Sequence, residues 1–288
     1  MKRDYMSRPK DIPANHQART GDGKIISATT GVVPILRELE PGKLQVIGTG
    51  FYVTRYGLFL TARHVFDHIV KSDSPGRHSL RILHDTGNAL HIRPVTRISY
   101  SHYADVALAE ADNFISQFPE QPLRNLRPIL TLRHPVPGSN LVVFAYPRNA
   151  LLDFTVDKSS CVEMFADRFE GQFECIREPG KYDAHQVEAY QTTVPIEGGA
   201  SGAPAFDSEG RIVGVVQSSI DFGVGEHEGV VTSFLTPLRH ALDLGFNNLM
   251  LSEGIWEYQQ IPSDRKHEVL TLRDLAAFGH LILDHPVD

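Results

Sequence analysis

Residues 48–66, GTGFYVTRYGLFLTARHVF, contain two short apolar runs joined by a turn that includes Gly57. Each run is rich in aromatic and branched residues and is shorter than an ordinary helix, so the pattern predicts a β-hairpin. Similar runs follow along the chain, among them SLRIL, DVALAEA, LVVFAYP, APAFD and RIVGVVQSSI. The sequence therefore predicts an all-β fold made of two strand-rich blocks, rather than alternating strands and helices.

The composition changes near both ends of the chain and once in the middle. Residues 1–24 are polar and basic, which predicts a flexible leader. Residues 25–115 and 116–245 predict an N-terminal and a C-terminal barrel separated by a proline-containing linker, the second closing with a short helix near residue 245. Residues 246–288 predict a tail with an amphipathic helix, which either docks on its own core or offers an apolar stripe to a partner.

The charge balance argues against several classes of partner. With 28 Lys+Arg and 35 Asp+Glu in 288 residues, the net charge is −7, which gives no attraction for nucleic acid or an anionic membrane. No apolar run approaches the about 18 residues of a membrane span, and the N-terminus lacks the apolar core of a secretion signal. We therefore expect a cytoplasmic protein. Cys161 and Cys175 are too few for a disulfide framework, although they allow one bridge in an oxidising compartment.

Three polar residues stand at the edges of the predicted strands. His64 follows the second run of the hairpin, Asp105 precedes another run, and Ser201 lies in the glycine-rich segment GGASG, residues 198–202. Each alone has an ordinary structural explanation as a polar residue after a strand or in a turn. Together they supply the nucleophile, base and orienting carboxylate of acyl transfer. The glycines let backbone N–H groups converge, as an oxyanion hole requires.

The motifs around these residues resemble those of the chymotrypsin-fold serine peptidases, and in detail the bacterial Deg/HtrA-type branch. The matching segments are Gly50, Phe51, Gly57, Thr61, His64 and Val65 for G-F-x5-G-x3-T-x2-H-V, Asp105–Leu108 for D-[IV]-A-L, and Gln191, Thr192 and Gly199–Pro204 for Q-T…G-x-S-G-x-P. The resemblance implies two six-stranded antiparallel Greek-key barrels with C-terminal helices. Because about forty residues follow the second barrel, we do not expect the PDZ domain that usually follows in Deg-type enzymes.

The resemblance also implies roles for individual residues. It makes His64 the general base and then acid, Asp105 its orienting carboxylate and Ser201 the nucleophile, with the N–H groups of Gly199 and Ser201 as the oxyanion hole. The substrate-binding residues that it implies are Pro195, Ile196, Gln217, Ser218, Ser219 and Gly229. Because Pro195 stands where an aspartate would select arginine or lysine, we expect a small or medium apolar side chain at the cleaved position.

The expected function is that of a trypsin-like serine protease, a hydrolase of protein or peptide substrates in a regulatory or processing role. The sequence indicates no metal and no cofactor, since it lacks H-E-x-x-H and its glycine-rich segments do not fit nucleotide-binding motifs. The alternative is a catalytically silent or conditionally activated scaffold of the same fold that binds a peptide or protein. Ala200, which replaces an acidic residue of digestive relatives, favours this alternative, as does the tail, which offers a surface for a regulatory partner.

Overall fold

The structure is a computed structural model that describes residues 17–19, 25–27, 31–54, 57–70, 80–85, 90–111, 128–146, 151–153, 166–180, 186–222, 230–247, 251–253, 257–259 and 269–284. The predicted leader lies outside these ranges except for β1 (Gln17–Arg19), which pairs antiparallel with β2 (Ile25–Ser27). Cys161 also lies outside them, whereas Cys175 is a half-buried free thiol. No helix in the described ranges is long and apolar enough to cross a membrane.

The first barrel is a closed ring of six antiparallel strands. The strands are β3 (Val32–Glu40), β4 (Lys43–Tyr52), β5 (Leu58–Thr61), β6 (Leu80–Asp85), β7 (Leu90–Tyr100) and β8 (Ala107–Ala111). They follow the order β4-β3-β6-β7-β8-β5, and pairing of β5 with β4 closes the ring. Helix α1 (His64–Val70) begins three residues after β5 ends, so the barrel wall places the start of this helix.

The second barrel repeats this design with the later strands. They are β10 (Asn140–Ala145), β12 (Asp167–Arg177), β13 (Ala189–Thr192), β14 (Pro204–Phe206), β15 (Ile212–Phe222) and β16 (Val230–Pro237). Their order is β10-β12-β13-β16-β15-β14, closed by pairing of β14 with β10. Two short strands add to the rings, β9 (Ile129–Leu130) beside β15 and β11 (Leu151–Asp153) beside β4. The predicted all-β double barrel is confirmed.

The tail returns to the second barrel. Its elements are β17 (Gly245–Asn247), β18 (Leu251–Glu253), β19 (Glu257–Gln259), β20 (Val269–Thr271), α2 (Leu272–Ala277) and β21 (Ile282–Leu283). β20 pairs with β17 and β21 with β9, and Leu272 and Leu275 of α2 are buried. The apolar face of α2 therefore docks on the chain's own core.

Both predicted C-terminal helices are shorter than the sequence pattern indicates. The segment expected to be helical up to Gly245 instead forms the end of β16 and a single 3₁₀ turn, Leu238–Ala241, because β16 extends to Pro237 and β17 begins at Gly245. α2 stops at Ala277 because Gly279 takes φ +76 and His280 N–H donates to Leu275 O at 2.8 Å, as in a Schellman motif.

Three clusters of buried apolar side chains hold the molecule together. One fills the first barrel and includes Ile35 and Phe59, and a second fills the second barrel and includes Val143 and Leu235. The third joins residues of both barrels and of the tail. The contact region between the barrels, called the seam below, is therefore itself a packed core. Turns anchored in this core have little freedom to move, because close-packed interiors are hard to compress.

Candidate active site

His64 and Asp105 are joined by two hydrogen bonds at the edge of the first barrel. The backbone N–H of His64, the first residue of α1, donates to Asp105 Oδ1 at 2.9 Å, and its Nδ1 lies 2.7 Å from Oδ2. Because a carboxylate only accepts hydrogen bonds, Nδ1 donates in this pair, which in a neutral imidazole leaves the lone pair on Nε2. The Asp105 side chain is 11% exposed and that of His64 is 43% exposed, so the pair has a buried acidic end and an open imidazole end.

The loop that carries Asp105 is fixed from both barrels. Ser101 Oγ accepts a hydrogen bond from the Ala104 N–H at 3.0 Å, and Arg63 Nη1 donates to Ser101 O at 3.1 Å. From the second barrel, Thr236 Oγ1 donates to Asp105 O at 3.3 Å. Since Arg63 directly precedes His64, its side chain ties the loop of the aspartate to the start of the histidine's helix.

Ser201 lies in a tight turn between β13 and β14. The flanking residues Gly199 and Gly202 have φ of +94° and +86°, which other residues rarely adopt. Gly202 N–H donates to Val216 O at 2.8 Å, which attaches the turn to β15. Within the described ranges, no acceptor bonds the N–H groups of Gly199 and Ser201. Two donors therefore remain available to an oxygen atom that enters the turn.

Gly202 brings the serine turn against the strand that leads to His64. A Cβ atom at this position would lie 2.0 Å from Thr61 Oγ1 and 2.2 Å from Thr49 O. Glycine is thus required by the lack of space as well as by the positive φ. Because Thr61 precedes His64 by three residues, this contact brings the turn that carries the predicted nucleophile close to the segment that leads to the predicted base.

The Ser201 hydroxyl donates to Gln217 O at 3.5 Å. Gln217 is the extra residue of a β-bulge, because the register of β15 against β16 shifts between Val216 and Ser218. A bulge re-aims the residue that it contains. Among the residues that the structure describes, this is the one hydrogen bond of the hydroxyl, and none joins it to the His64 imidazole.

The predicted substrate-binding residues are placed unevenly. Pro195 is exposed beside the turn, whereas Ile196 is 6% exposed and packs into the second-barrel core. Ser218 is exposed, and Ser219 continues β15 in register with β16. Gly229 lies outside the described residues. The structure therefore describes five of the six predicted substrate-binding residues, and Gly229 is the one that it does not describe.

One edge of β15 has no strand partner among the described residues beyond the serine turn. β14 pairs with β15 only as far as Val215, and from Ser218 to Phe222 the described pairing of β15 is with β16 alone. The unpaired side presents backbone N–H and C=O groups beside Gln217. An exposed edge of this kind accepts an extended peptide as an added strand.

Thr49 belongs to this region, although the sequence did not single it out. Its N–H donates to Ser201 O at 2.9 Å, and its Oγ1 donates to Gly199 O at 3.2 Å. The available signal was a polar residue between Gly48 and Gly50 in a strand that is otherwise apolar toward its end. Nothing in that pattern indicates pairing with a turn 150 residues away.

The chain belongs to the trypsin-like peptidase domain family, whose model matches residues 48–215. This range contains His64, Asp105 and Ser201. The predicted resemblance to the chymotrypsin-fold serine peptidases is therefore confirmed at the level of the family. No curated protein sequence matches the chain.

Two solved structures show the same fold. Deg5 is 18% identical, with a TM-score of 0.52 over 73% of this chain and 85% of its own. A variant of the HtrA-type protease AlgW with a tripeptide is 15% identical, with a TM-score of 0.50 over 78% of this chain and 66% of its own. Both similarities concern the fold, so the chemistry must be argued from the residues of this chain.

Proposed function

We propose that this chain is a serine endopeptidase that cleaves protein or peptide substrates through Ser201, His64 and Asp105. The observation that carries the proposal is the double hydrogen bond between Asp105 and His64, at 2.9 and 2.7 Å. A carboxylate bonded in this way fixes both the ring and its tautomer, as the general base of a serine hydroxyl requires. Membership of the trypsin-like peptidase family supports the same chemistry.

In this mechanism, Ser201 Oγ attacks the scissile carbonyl carbon while His64 Nε2 takes the hydroxyl proton. Asp105 stabilises the resulting imidazolium without taking the proton itself. The oxyanion accepts hydrogen bonds from the N–H groups of Gly199 and Ser201. His64 then gives its proton to the leaving amine as the peptide bond breaks, and water activated by the same imidazole hydrolyses the acyl-enzyme.

The proposed substrate is an extended peptide that pairs with the open edge of β15 at Gln217–Ser219. Pro195 and Ile196 carry no charge to attract an arginine or lysine side chain, which supports an apolar residue at the cleaved position. The proposed role is regulatory or processing, with the tail as the contact for a regulatory partner. A peptide library cleaved mainly after arginine or lysine would contradict the pocket assignment.

A second candidate function is a conditionally active peptide-binding scaffold, and the orientation of the Ser201 hydroxyl favours it. Because Oγ donates to Gln217 O at 3.5 Å, this hydrogen bond must break before the hydroxyl proton passes to His64. A peptide or partner that binds the form without this bond better would shift the population toward it and activate the site.

A fluorophosphonate probe separates the two candidates. We expect the wild type to be labelled, Ser201→Ala to remain unlabelled, and His64→Ala to be labelled at least about 10³-fold more slowly. Ser208→Ala is the matched control, since Ser208 is an exposed serine in the β14–β15 turn, and it should react like the wild type. Labelling that appears only after a peptide is added favours the scaffold, and no labelling under either condition contradicts the protease.

A further inference from the structure

Thr49 makes four hydrogen bonds at the seam between the barrels. Its N–H donates to Ser201 O at 2.9 Å, and its carbonyl accepts from Thr61 Oγ1 at 2.7 Å. Its hydroxyl donates to Gly199 O at 3.2 Å and accepts from the Tyr146 N–H at 3.0 Å. The residue is 0% exposed, so water does not compete for these bonds. One side chain of the first barrel thus bonds two segments of the second.

The two bonds to the serine turn end on the residues that carry the proposed oxyanion donors. Gly199 lacks a Cβ and follows another glycine, so sterics alone leave its peptide planes free to rotate. Among the described residues, the other bonds of the turn are local, such as Ala200 N–H to Glu197 O at 3.2 Å, or run to β15, as from Gly202 N–H to Val216 O at 2.8 Å. Thr49 supplies a hold from outside the turn, on the carbonyl groups of both Gly199 and Ser201.

We propose that Thr49 is a positioning residue for the oxyanion hole. Its hydroxyl and N–H hold the carbonyl groups of Gly199 and Ser201, which belong to the 199–200 and 201–202 peptide groups. These peptide groups adjoin the ones that carry the Gly199 and Ser201 N–H groups, so fixing them limits the rotation that would turn the two donors away from a developing oxyanion. The assignment rests on the proposed peptidase function, because the oxyanion arises only in that reaction. Thr49 does not touch the substrate and acts through the turn.

Replacement of Thr49 by two residues of nearly equal size tests the role of the hydroxyl. Thr49→Val keeps the shape and the N–H but removes the bonds to Gly199 and Tyr146. Since loss of a whole oxyanion donor costs about 10²–10³ in rate, we expect Thr49→Val to lower kcat by roughly 10–100-fold, with KM changed by less than about threefold. Thr49→Ser keeps the hydroxyl and should stay within about threefold of the wild type in both constants.

A transition-state analogue provides a second readout. The affinity for a peptide boronate should fall in Thr49→Val by the same factor as kcat/KM, whereas the affinity for the unmodified product peptide should not change. Equal losses for boronate and product peptide would overturn the proposal, because they would indicate a general disturbance of the binding surface.

Thr54→Val is the matched control for loss of a buried threonine hydroxyl. Thr54 is also 0% exposed, and its Oγ1 accepts the Leu58 N–H at 3.3 Å within the hairpin turn. We expect this variant to lose stability without loss of kcat. An equal fall in kcat for Thr49→Val and Thr54→Val would overturn the proposal, as would failure of Thr49→Ser to restore the rate.

Hydrogen exchange in a Ser201→Ala background tests the positioning without any need for activity. Adding Thr49→Val should speed amide exchange in residues 197–203, and adding Thr49→Ser should not. Unchanged exchange overturns the positioning role even if the wild type is an active protease. If Thr49→Val speeds exchange in this turn but the wild type never reacts with fluorophosphonate, the peptidase function is contradicted. The faster exchange still supports the role of Thr49 in holding the turn.

Discussion

The two barrels share one strand arrangement but differ in the polar groups that they bury. The first encloses Arg93, which is 0% exposed and donates to the Tyr52 hydroxyl and to His84 Nδ1. Among its described residues, the second buries only hydroxyl-bearing polar side chains, and its Arg239–Glu188 ion pair, at 3.0 Å, lies at side chains that are 33% and 23% exposed. One barrel therefore depends on a buried cation, whereas the other keeps its charges near solvent.

This difference matters because each barrel supplies one half of the candidate site. The first carries His64 and Asp105, and the second carries Ser201 and its glycine-rich turn. Burial raises the pKa of Tyr52 to about 12 and, together with the positive charge of Arg93, lowers the pKa of His84 to about 3. We infer that the barrel with the proposed base is the more sensitive of the two to charge and pH, although His134 and His240 of the second barrel also have lowered pKa values.

The largest effect is expected at the seam, in Gly202→Ala. The new Cβ would overlap Thr61 Oγ1 and Thr49 O, and φ is also positive. We expect a loss of more than about 4 kcal/mol in the free energy of unfolding, together with loss of labelling by fluorophosphonate. Gly138→Ala isolates the dihedral cost, since its φ is +82° with open space around it, and should lose about 1–2 kcal/mol in urea unfolding. Equal losses would show that the overlap is relieved at no cost.

The next prediction tests the buried cation directly. Arg93→Met leaves the Tyr52 hydroxyl and His84 Nδ1 without this donor and should lower the free energy of unfolding by about 2–5 kcal/mol, since each buried polar group left unsatisfied costs about 1–3 kcal/mol. Arg239→Met, in the second barrel, should cost less than about 1 kcal/mol because its ion pair is partly exposed. Denaturant unfolding of both variants compares the barrels. Removing the polar partners as well, in Arg93→Met with Tyr52→Phe and His84→Leu, should recover part of the loss.

How well the sequence predicted each feature depended on how local its cause was. His64, Asp105 and Ser201 were predicted because each sits in a short motif with a fixed pattern of neighbours, and a helix in the tail was predicted from a local apolar pattern. Burial of Arg93 was not predictable from its strand, since arginine is almost never fully buried without partners, and its partners lie on other strands. Thr49 was missed because its bonds join the two halves of the chain.

The largest single contribution to the pH dependence of stability should come from His84 of the first barrel. The pKa of His84 lies at about 3 in the folded state, below the ordinary value of 6.5, so the unfolded state binds more protons between these values. The stabilisation from neutral His84 is complete above pH 6.5 and is lost as the pH falls toward 3. At pH 5, partial loss of this stabilisation should lower the free energy of unfolding by about 2 kcal/mol relative to pH 7.

The measurement is urea unfolding at pH 7 and pH 5 for the wild type and two variants. His84→Asn keeps an acceptor for Arg93 without a proton to bind, and it should show a smaller loss between the two pH values than the wild type. His134→Asn, at an exposed position of the second barrel, removes a histidine whose pKa is also lowered, by burial and by the charge of Arg239, and should change the pH dependence less than His84→Asn does. An equal loss in the free energy of unfolding between pH 7 and pH 5 for the wild type and His84→Asn would contradict the role of His84 in this pH dependence.

The smallest expected effect concerns whether the tail unfolds together with the barrels. Thr271 Oγ1 accepts the Asp274 N–H at 3.3 Å at the start of α2, and Asp284 beyond the helix accepts from Arg211 Nη1 of the second barrel at 3.0 Å. Loss of the cap in Thr271→Ala should cost about 1 kcal/mol, and Thr271→Ser should retain it. Because Leu272 and Leu275 belong to the cluster that joins both barrels, the loss should shift the main unfolding transition rather than create an earlier one. An unchanged main transition with a separate early phase would mean that the tail folds apart from the second barrel.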